Sequence, residues 1–259
     1  MTPVLSIIIV SFNAKADLER CLESLHAAPP AAAHEILVVD NGSNDGSADA
    51  VRQRQDVRLI DAGSNLGFAR ANNVGISETT GANILLLNSD TVVPPGAIDR
   101  LLAELDRDPA VAVVGPRLVD DAGRAELSFG RMISPLNEFR QKRLLRSGNV
   151  ESLTRRRHYP DWVSGACLLV RRADAAAVGG LDPRFSMYTE DVDFCAAIRA
   201  RGRRILFAPK IEVVHLRGRS AASAPAATRE RYRQSHLAFY EKHHPAWVPL
   251  LKLYVRIFG

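Results

Sequence analysis

The segment Thr189-Glu190-Asp191-Val192-Asp193 puts three carboxylates within four positions. Adjacent carboxylates raise one another's pKa, which suits one of them to general-base work near neutral pH. The cluster equally suits the positive end of a helix dipole. On a helix Asp193 faces away from Asp191, which assigns it to structure rather than chemistry. Two more aspartates each follow an apolar run: Asp40 after Ile36-Leu37-Val38-Val39, and Asp90 after Leu85-Leu86-Leu87-Asn88-Ser89. Asp40 can accept from the base or ribose of a nucleotide, or it can hold the N–H groups of an Asx-turn. Asp90 can hold Mg²⁺ or Mn²⁺, which takes further ligands from phosphates and water, or it can cap the turn before Pro94. His215, after Ile211 to Val214, is either a neutral metal-ligating imidazole or a satisfied histidine at a strand end. In Asn65-Leu66-Gly67-Phe68-Ala69-Arg70-Ala71-Asn72-Asn73, Arg70 beside a helix start suits a phosphate; a solvated loop and surface helix is the alternative.

These residues need elements that bring them together. Leu5 to Val10, Glu35 to Asp40, Val57 to Ile60, Ile84 to Leu87 and Val111 to Val114 read as strands. Between them Leu18, Cys21, Leu22 and Leu25 mark one helix face, as do Ile98, Leu101, Leu102 and Leu105 after Pro94-Pro95. A short helix from Ser47 and another over Phe68 to Ser77 complete the alternation. Strand and helix in turn predict a mainly parallel sheet with helices on both faces. Ligands in such sheets bind beyond the carboxyl ends of the strands, where Ser11-Phe12-Asn13, Asp40-Asn41-Gly42 and Asn88-Ser89-Asp90 stand. Asp90 is expected one strand over from Asp40. The second half is less regular. Trp162 to Arg172 is expected as a strand, Asp191 to Arg201 as a helix, and Arg204 to Ala208 and Ile211 to Val214 as short strands. Ala221 to Ala227 reads as a loop and His236 to Gly259 as helical. Residues 124–160 give no assignment.

The 259 residues, 46% hydrophobic, suit one large domain with or without an appendage. No apolar run reaches the roughly 20 residues of a membrane span, and MTPVLSIIIV does not resemble a secretory signal. Three cysteines without a CxxC pair make a disulfide framework or structural zinc improbable and point to a reducing cytoplasm. The net charge of +5 suits anionic partners; without zinc-finger or basic-zipper spacing, nucleic acid is not expected among them. No P-loop, no GxGxxG after the first strand and no GxSxG elbow occurs.

Taken in order, Ser6-Ile7-Ile8-Ile9-Val10-Ser11-Phe12-Asn13, Val38-Val39-Asp40-Asn41-Gly42-Ser43, Asn65-Leu66-Gly67-Phe68 and Leu87-Asn88-Ser89-Asp90 resemble the family 2 inverting glycosyltransferases of GT-A fold. Val163-Ser164-Gly165-Ala166-Cys167, Gly179-Gly180-Leu181-Asp182, Met187 to Asp193 and His215-Leu216-Arg217-Gly218-Arg219-Ser220 continue the resemblance, which spans about residues 4–220. Within the family it looks most like the rhamnosyltransferase branch that builds bacterial cell-surface polysaccharides.

The resemblance implies a Rossmann-like, mainly parallel sheet with a C-terminal helical tail. It implies a nucleotide-binding half over about 1–120, an acceptor half over 121–220 and a helical extension over 221–259. It places Asp40 on a pyrimidine base, with Ser11, Asn13, Asn65, Gly67, Arg70, Asn72 and Ser89 bordering a dTDP- or UDP-sugar. Uracil and thymine present the same edge to Asp40, so the two donors are not separated. Asp90 and His215 become ligands of Mg²⁺ or Mn²⁺, Asp191 the catalytic base, and Glu190 and Trp162 neighbours of a saccharide or lipid-linked saccharide acceptor. One departure matters: Asn88-Ser89-Asp90 lacks the first carboxylate of the family's Asp-x-Asp motif, so metal affinity leans more on the bound diphosphate.

Arg155-Arg156-Arg157 and the Trp247 to Phe258 face suit peripheral contact with an anionic bilayer; an ordinary packed helix or a homodimer contact is the alternative. A sugar-nucleotide nucleotidyltransferase would need a Gly-rich basic loop where Ser11-Phe12-Asn13-Ala14 stands. A non-catalytic nucleotide-sugar-binding module would not need Glu190-Asp191.

Overall fold

A computed structural model describes residues 3–146, 150–216 and 225–258. Its elements run β1 (Leu5–Ser11), α1 (Lys15–Ala27), β2 (His34–Asp40), α2 (Ser47–Arg52), β3 (Arg58–Asp61), α3 (Phe68–Ser77), β4 (Asn83–Asn88), β5 (Thr91–Val92), α4 (Ala97–Arg107) and β6 (Val111–Val119). Then follow β7 (Phe129–Gly130), α5 (Pro135–Arg146), α6 (Val150–Leu153), β8 (Trp162–Val163), β9 (Cys167–Arg171), α7 (Arg172–Ala177), α8 (Glu190–Ala200) and β10 (Arg204–His215). Two helices close the chain, α9 (Pro225–His243) and α10 (Val248–Phe258), joined through a 3₁₀ turn at Pro245–Trp247.

Eight strands form one sheet in the order β3-β2-β1-β4-β9-β6-β10-β5, and β7 pairs with β8 in a small second sheet. The alternation of side chains along each strand divides the core between the two faces. Ile7, Ile9, Leu85 and Leu87 pack with Leu18, Leu22 and Leu25 of α1 and Leu101 and Leu105 of α4. Ile8, Ile84 and Leu86 pack on the other side with Ala69 of α3 and Phe194, Cys195 and Ile198 of α8. All three cysteines are buried and free. Among the described residues no helix is long and apolar enough to cross a membrane.

Several local expectations change in the folded chain. Between Asp40 and Asp90 stands β1, so the two are not one strand apart. β6 continues to Val119, and β9 lies antiparallel between it and β4. Trp162 to Arg172 is not one strand: it breaks after Val163, where the chain leaves the small sheet for the large one, and Arg172 begins α7. Arg204 to His215 is a single strand with a bulge between Ala208 and Glu212, not two strands. α4 begins at Ala97 rather than at the proline pair, and α8 at Glu190. Pro225 to Ala227 already belong to α9; residues 217–224, with the Arg217-to-Ser220 part of the motif, lie outside the described residues.

α9 braces the entry to α8. Tyr188 and Thr189 precede α8 with φ of 72° and 62°, a region non-glycine residues occupy at a cost. Thr189 Oγ1 donates to the Ser235 carbonyl at 3.3 Å, and Ser235 Oγ donates to the Met187 carbonyl at 2.7 Å. One turn into α8, Asp193 accepts from Lys242 Nζ at 2.8 Å and pairs with His243 Nε2 at 2.7 Å. Phe239 and Tyr240 pack against Phe185 and Val192 beneath these bonds.

Candidate active site

β1, β2 and β4 are parallel, with Ser11 opposite Asp40 and Val10 opposite Asn88. β9 runs against β4 and β6, and β10 runs with β6. The carboxyl ends of β1, β2, β4, β6 and β10 therefore share one edge of the sheet with the start of β9. Asp40, Asp90 and His215 stand at that edge because each ends a strand or follows one. Asp191 is brought there by the segment before β9: Asn88 N–H donates to the Ala166 carbonyl, and Gly165 N–H donates to Asp191 Oδ2, both at 2.9 Å.

The β1–β2 corner is polar and incompletely satisfied. Asp40 is buried, and its Oδ2 accepts Ser43 N–H at 2.9 Å. Its Oδ1, Ser11 Oγ and Asn88 Oδ1 are buried without a hydrogen-bond partner among the described residues. Each such orphan costs about 1–3 kcal/mol, so three at adjacent strand ends mark a place that a polar ligand completes. Asn13, in a left-handed turn with φ of 49°, ties the first two loops: its N–H donates to Ser43 Oγ at 3.0 Å and its Oδ1 accepts Asn44 N–H at 2.9 Å. Asn41 Nδ2 donates to Asn65 Oδ1 at 3.2 Å, and Asn65 Oδ1 also accepts Gly67 N–H at 3.0 Å. Gly67 has φ of 84°, and a Cβ there would stand 2.7 Å from the Ser186 carbonyl oxygen. Phe68 N–H donates to that carbonyl at 2.7 Å, so this loop links the Asp40 corner to the approach of α8.

Two further residues of the expected donor site follow on α3. Asn72 is buried, and its amide donates back to the Phe68 carbonyl at 2.9 Å within α3. Arg70 lines an open hollow of about 470 Å³ with Asp182, Pro183, Arg184, Ala238 and Glu241, and none of the other expected donor residues lines it. Ser89 is half-buried in the turn after β4.

Asp90 and His215 are neighbours. His215 Nε2 lies 3.3 Å from Asp90 Oδ1, and Leu216 N–H donates to the Asp90 carbonyl at 2.8 Å. On the other side of the ring, Nδ1 lies 3.2 Å from Glu126 Oε2. Burial opposes a charged imidazole, but the bonds to Asp90 and Glu126 outweigh it and push His215 up to about 9. Among the described residues no three His, Cys, Asp or Glu converge on one point. A carboxylate and an imidazole side by side nevertheless suit a divalent cation whose remaining ligands are phosphate and water. Glu126 had no signal in the sequence. It is presented by the return of the chain after β6, where its N–H donates to the Leu118 carbonyl at 2.9 Å.

The two adjacent carboxylates differ. Burial raises both Glu190 and Asp191, and the Asp191 charge raises Glu190 further, to well above the usual range. Asp191 is held lower by N–H donors from Gly165 at 2.9 Å and Val192 at 2.8 Å, whereas Glu190 Oε2 is buried with no partner among the described residues. A Cβ on Gly165 would stand 3.3 Å from Asp191 Cβ and 3.7 Å from the Phe68 ring. Trp162 directs its indole N–H to the Arg131 carbonyl at 2.9 Å and packs into the cluster that holds Val192 of α8.

Residues 6–174 match the model of the Glycosyl transferase family 2. The chain belongs to this family. It is 32% identical to the N-acetylglucosaminyl-diphospho-decaprenol L-rhamnosyltransferase of Mycobacterium tuberculosis, over 95% of this chain and 87% of that protein. Its fold is similar to the mannosyltransferase PcManGT of Pyrobaculum calidifontis, solved with GDP-Man and Mn²⁺: TM-score 0.65, 19% identity, 100% of this chain and 71% of that one. It is also similar to GalNAc-T7, solved with UDP, GalNAc and Mn²⁺: TM-score 0.63, 18% identity, 83% of this chain and 43% of that one. The GT-A fold expected from the motifs is the fold observed. The strand ends of this glycosyltransferase carry the motifs on which the family resemblance rested.

Proposed function

We propose that this glycosyltransferase moves a sugar, rhamnose by its likeness to the mycobacterial relative, from a dTDP- or UDP-sugar to a hydroxyl of a lipid-linked saccharide, with inversion at the anomeric carbon. The observation that carries the reading is the common sheet edge, where the Asp40 corner, the Asp90–His215 pair and Asp191 stand together through Ser11, Asn88 and Gly165. The unpartnered Asp40 Oδ1 accepts the N3–H shared by uracil and thymine. Asp90 and His215 would hold a divalent cation, which when bound would offset the charge developing on the departing diphosphate. Imidazole beside carboxylate suits Mn²⁺ better than Mg²⁺, which prefers oxygen throughout.

Asp191 Oδ1 or Oδ2 takes the proton of the acceptor hydroxyl as its oxygen bonds to the anomeric carbon and the bond to the diphosphate breaks. Burial and the Asp191 charge both favour the protonated form of Glu190, which leaves Asp191 as the member of the pair that takes the proton. Trp162 and Glu190 border the acceptor. A thermal-shift screen of nucleoside diphosphates with Mn²⁺ tests the donor side, since ligand binding raises apparent stability by linkage. UDP or dTDP should raise the Tm more than GDP does. No response to any pyrimidine diphosphate overturns the reading.

The acceptor reading extends to a membrane surface. Leu136, Phe139, Trp247, Leu250 and Leu253 are exposed, and the first three border one groove of about 520 Å³ between α5 and the 3₁₀ turn. Arg140, Arg143 and Arg256 are exposed on the same helices. Of the basic triplet, Arg155 and Arg157 are paired with Glu151 and Glu104, so the apolar patch rather than the triplet carries this contact. Sedimentation with anionic vesicles should be strong at low salt and weakened in a Phe139→Ser, Trp247→Ser variant; no sedimentation at low salt ends the idea.

A further inference from the structure

The Asn88-Ser89-Asp90 turn brings one carboxylate to the cation site, and His215 is the other donor there. A neutral imidazole binds a cation through a single nitrogen lone pair, so the ring is useful only if that nitrogen is unprotonated and faces the site. Rotation about the Cβ–Cγ bond and tautomer exchange both offer wrong arrangements. The structure contains a device that selects the right one.

We infer that Glu126 is a positioning residue for cation binding: its carboxylate holds His215 by Nδ1 and thereby turns Nε2 toward Asp90. The inference rests on the reading of Asp90 and His215 as the cation's ligands. Glu126 Oε2 lies 3.2 Å from Nδ1, while Nε2 lies 3.3 Å from Asp90 Oδ1. The side chains of His215 and Glu126 are 9% and 8% exposed, so water competes little for the bond. An ionised carboxylate accepts but has no hydrogen to give, so when a cation takes the Nε2 lone pair the one remaining ring proton, on Nδ1, has an acceptor in Glu126. The negative charge behind the ring also makes Nε2 a stronger donor, an effect on metal affinity worth about 10- to 100-fold where such partners are removed.

The backbone fixes this partnership. The chain turns after β6, with Val119 bridged to Ala125 and Glu126 N–H donating to the Leu118 carbonyl. β10 lies alongside β6 with Val214 opposite Val119, so its next residue, His215, ends beside the returning strand. Glu126 thus meets the ring at the nitrogen that does not face Asp90. It adds a negative charge behind a site where Asn88 takes the place of a second carboxylate.

The test is Mn²⁺ titration of the UDP-saturated full chain, followed by the EPR signal of free aqueous Mn²⁺, with melting temperature measured in parallel without metal. Glu126→Ala should weaken Mn²⁺ binding by about 10- to 100-fold. Glu126→Gln, which keeps an acceptor oxygen but not the charge, should lose less. His215→Ala and Asp90→Asn should remove most of the binding. A lowered Tm with wild-type Mn²⁺ affinity in both Glu126 variants makes the residue purely structural and overturns the inference while leaving the ligands standing. Should Glu126→Ala not fold, Glu126→Gln decides by the same comparison. If His215→Ala and Asp90→Asn bind Mn²⁺ like the wild type, the cation reading itself fails, and the inference with it.

Discussion

Replacing Asp191 by Asn separates chemistry from binding. In the proposed role of general base, Asp191 would contribute about 10²- to 10⁴-fold to turnover, or roughly 3–5 kcal/mol at 1.36 kcal/mol per decade. The structure adds a second cost. One oxygen accepts Gly165 N–H at 2.9 Å and the other Val192 N–H at 2.8 Å. An asparagine presents one oxygen and one NH₂, so one of these N–H groups meets a donor and loses its acceptor. That costs about 1–3 kcal/mol, or roughly 2–10 °C in Tm for a chain of this size. Neither contact touches Asp40 or the Asp90–His215 pair, so affinity for UDP or dTDP with Mn²⁺ should stay within a few-fold. The assay is steady-state transfer from a radiolabelled nucleotide sugar to a prenyl-diphosphate saccharide, with calorimetric nucleotide binding and a melting curve on the same preparation. The expected pattern is kcat down by at least a hundredfold, nucleotide Kd nearly constant and Tm lowered. Turnover within tenfold of wild type refutes the assignment of the base; nucleotide affinity that falls as far as kcat refutes the separation of base and donor site.

Further consequences follow from the same geometry. On the proposed mechanism Asp191 acts when ionised and burial raises its pKa, so kcat/KM should fall with decreasing pH at a higher pH than an ordinary carboxylate gives; Glu190→Gln should leave this limb in place, because burial and the Asp191 charge favour the protonated form of Glu190. Glu190 has a folded pKa above its unfolded one, so its contribution to stability is complete below the unfolded value and is lost as pH rises; Glu190→Gln should raise Tm at pH 8 and not at pH 4. Gly67→Ala should lower Tm and nucleotide affinity together, because φ of 84° and a Cβ 2.7 Å from the Ser186 oxygen force the Asn65–Phe68 loop away from its place; unchanged nucleotide binding by calorimetry counts against that loop's role. Asp193→Asn should weaken the grip of Lys242 and His243 on α8, at about 1–3 kcal/mol given their partial exposure, seen as a lower Tm and reduced kcat; an unchanged melting curve removes α9 as the brace.

Much of the framework was legible from local chemistry. Strands buried on both faces, such as β1, appear as continuous β-branched runs, and α1 and α4 show their buried faces at 3.6-residue spacing. α3 falls on the residues expected, Phe68 to Ser77. Asp40 and Asp90 could be placed at one edge of the sheet because polar residues directly after apolar runs stand at strand ends in a parallel sheet. Glu126 was not legible. Its partner His215 lies 89 residues away, and nothing in residues 124–160 repeats with a helix or strand period. The same limit hid the bracing of α8 by Ser235, Lys242 and His243. It also hid that Arg70 borders a hollow with Asp182 and Glu241, since a helix position indicates a face but not what that face meets.

By itself, then, the sequence determined most strands and helices between Leu5 and Val114, and which polar residues stand at their ends, because the apolar period is a property of neighbours along the chain. The tertiary structure decided which ends meet. The insertion of β9 between β4 and β6 carries Gly165 to Asp191, and the return after β6 carries Glu126 to His215. Such contacts join residues far apart in the chain through sheet order and register, and neither leaves a periodic mark in the residues themselves.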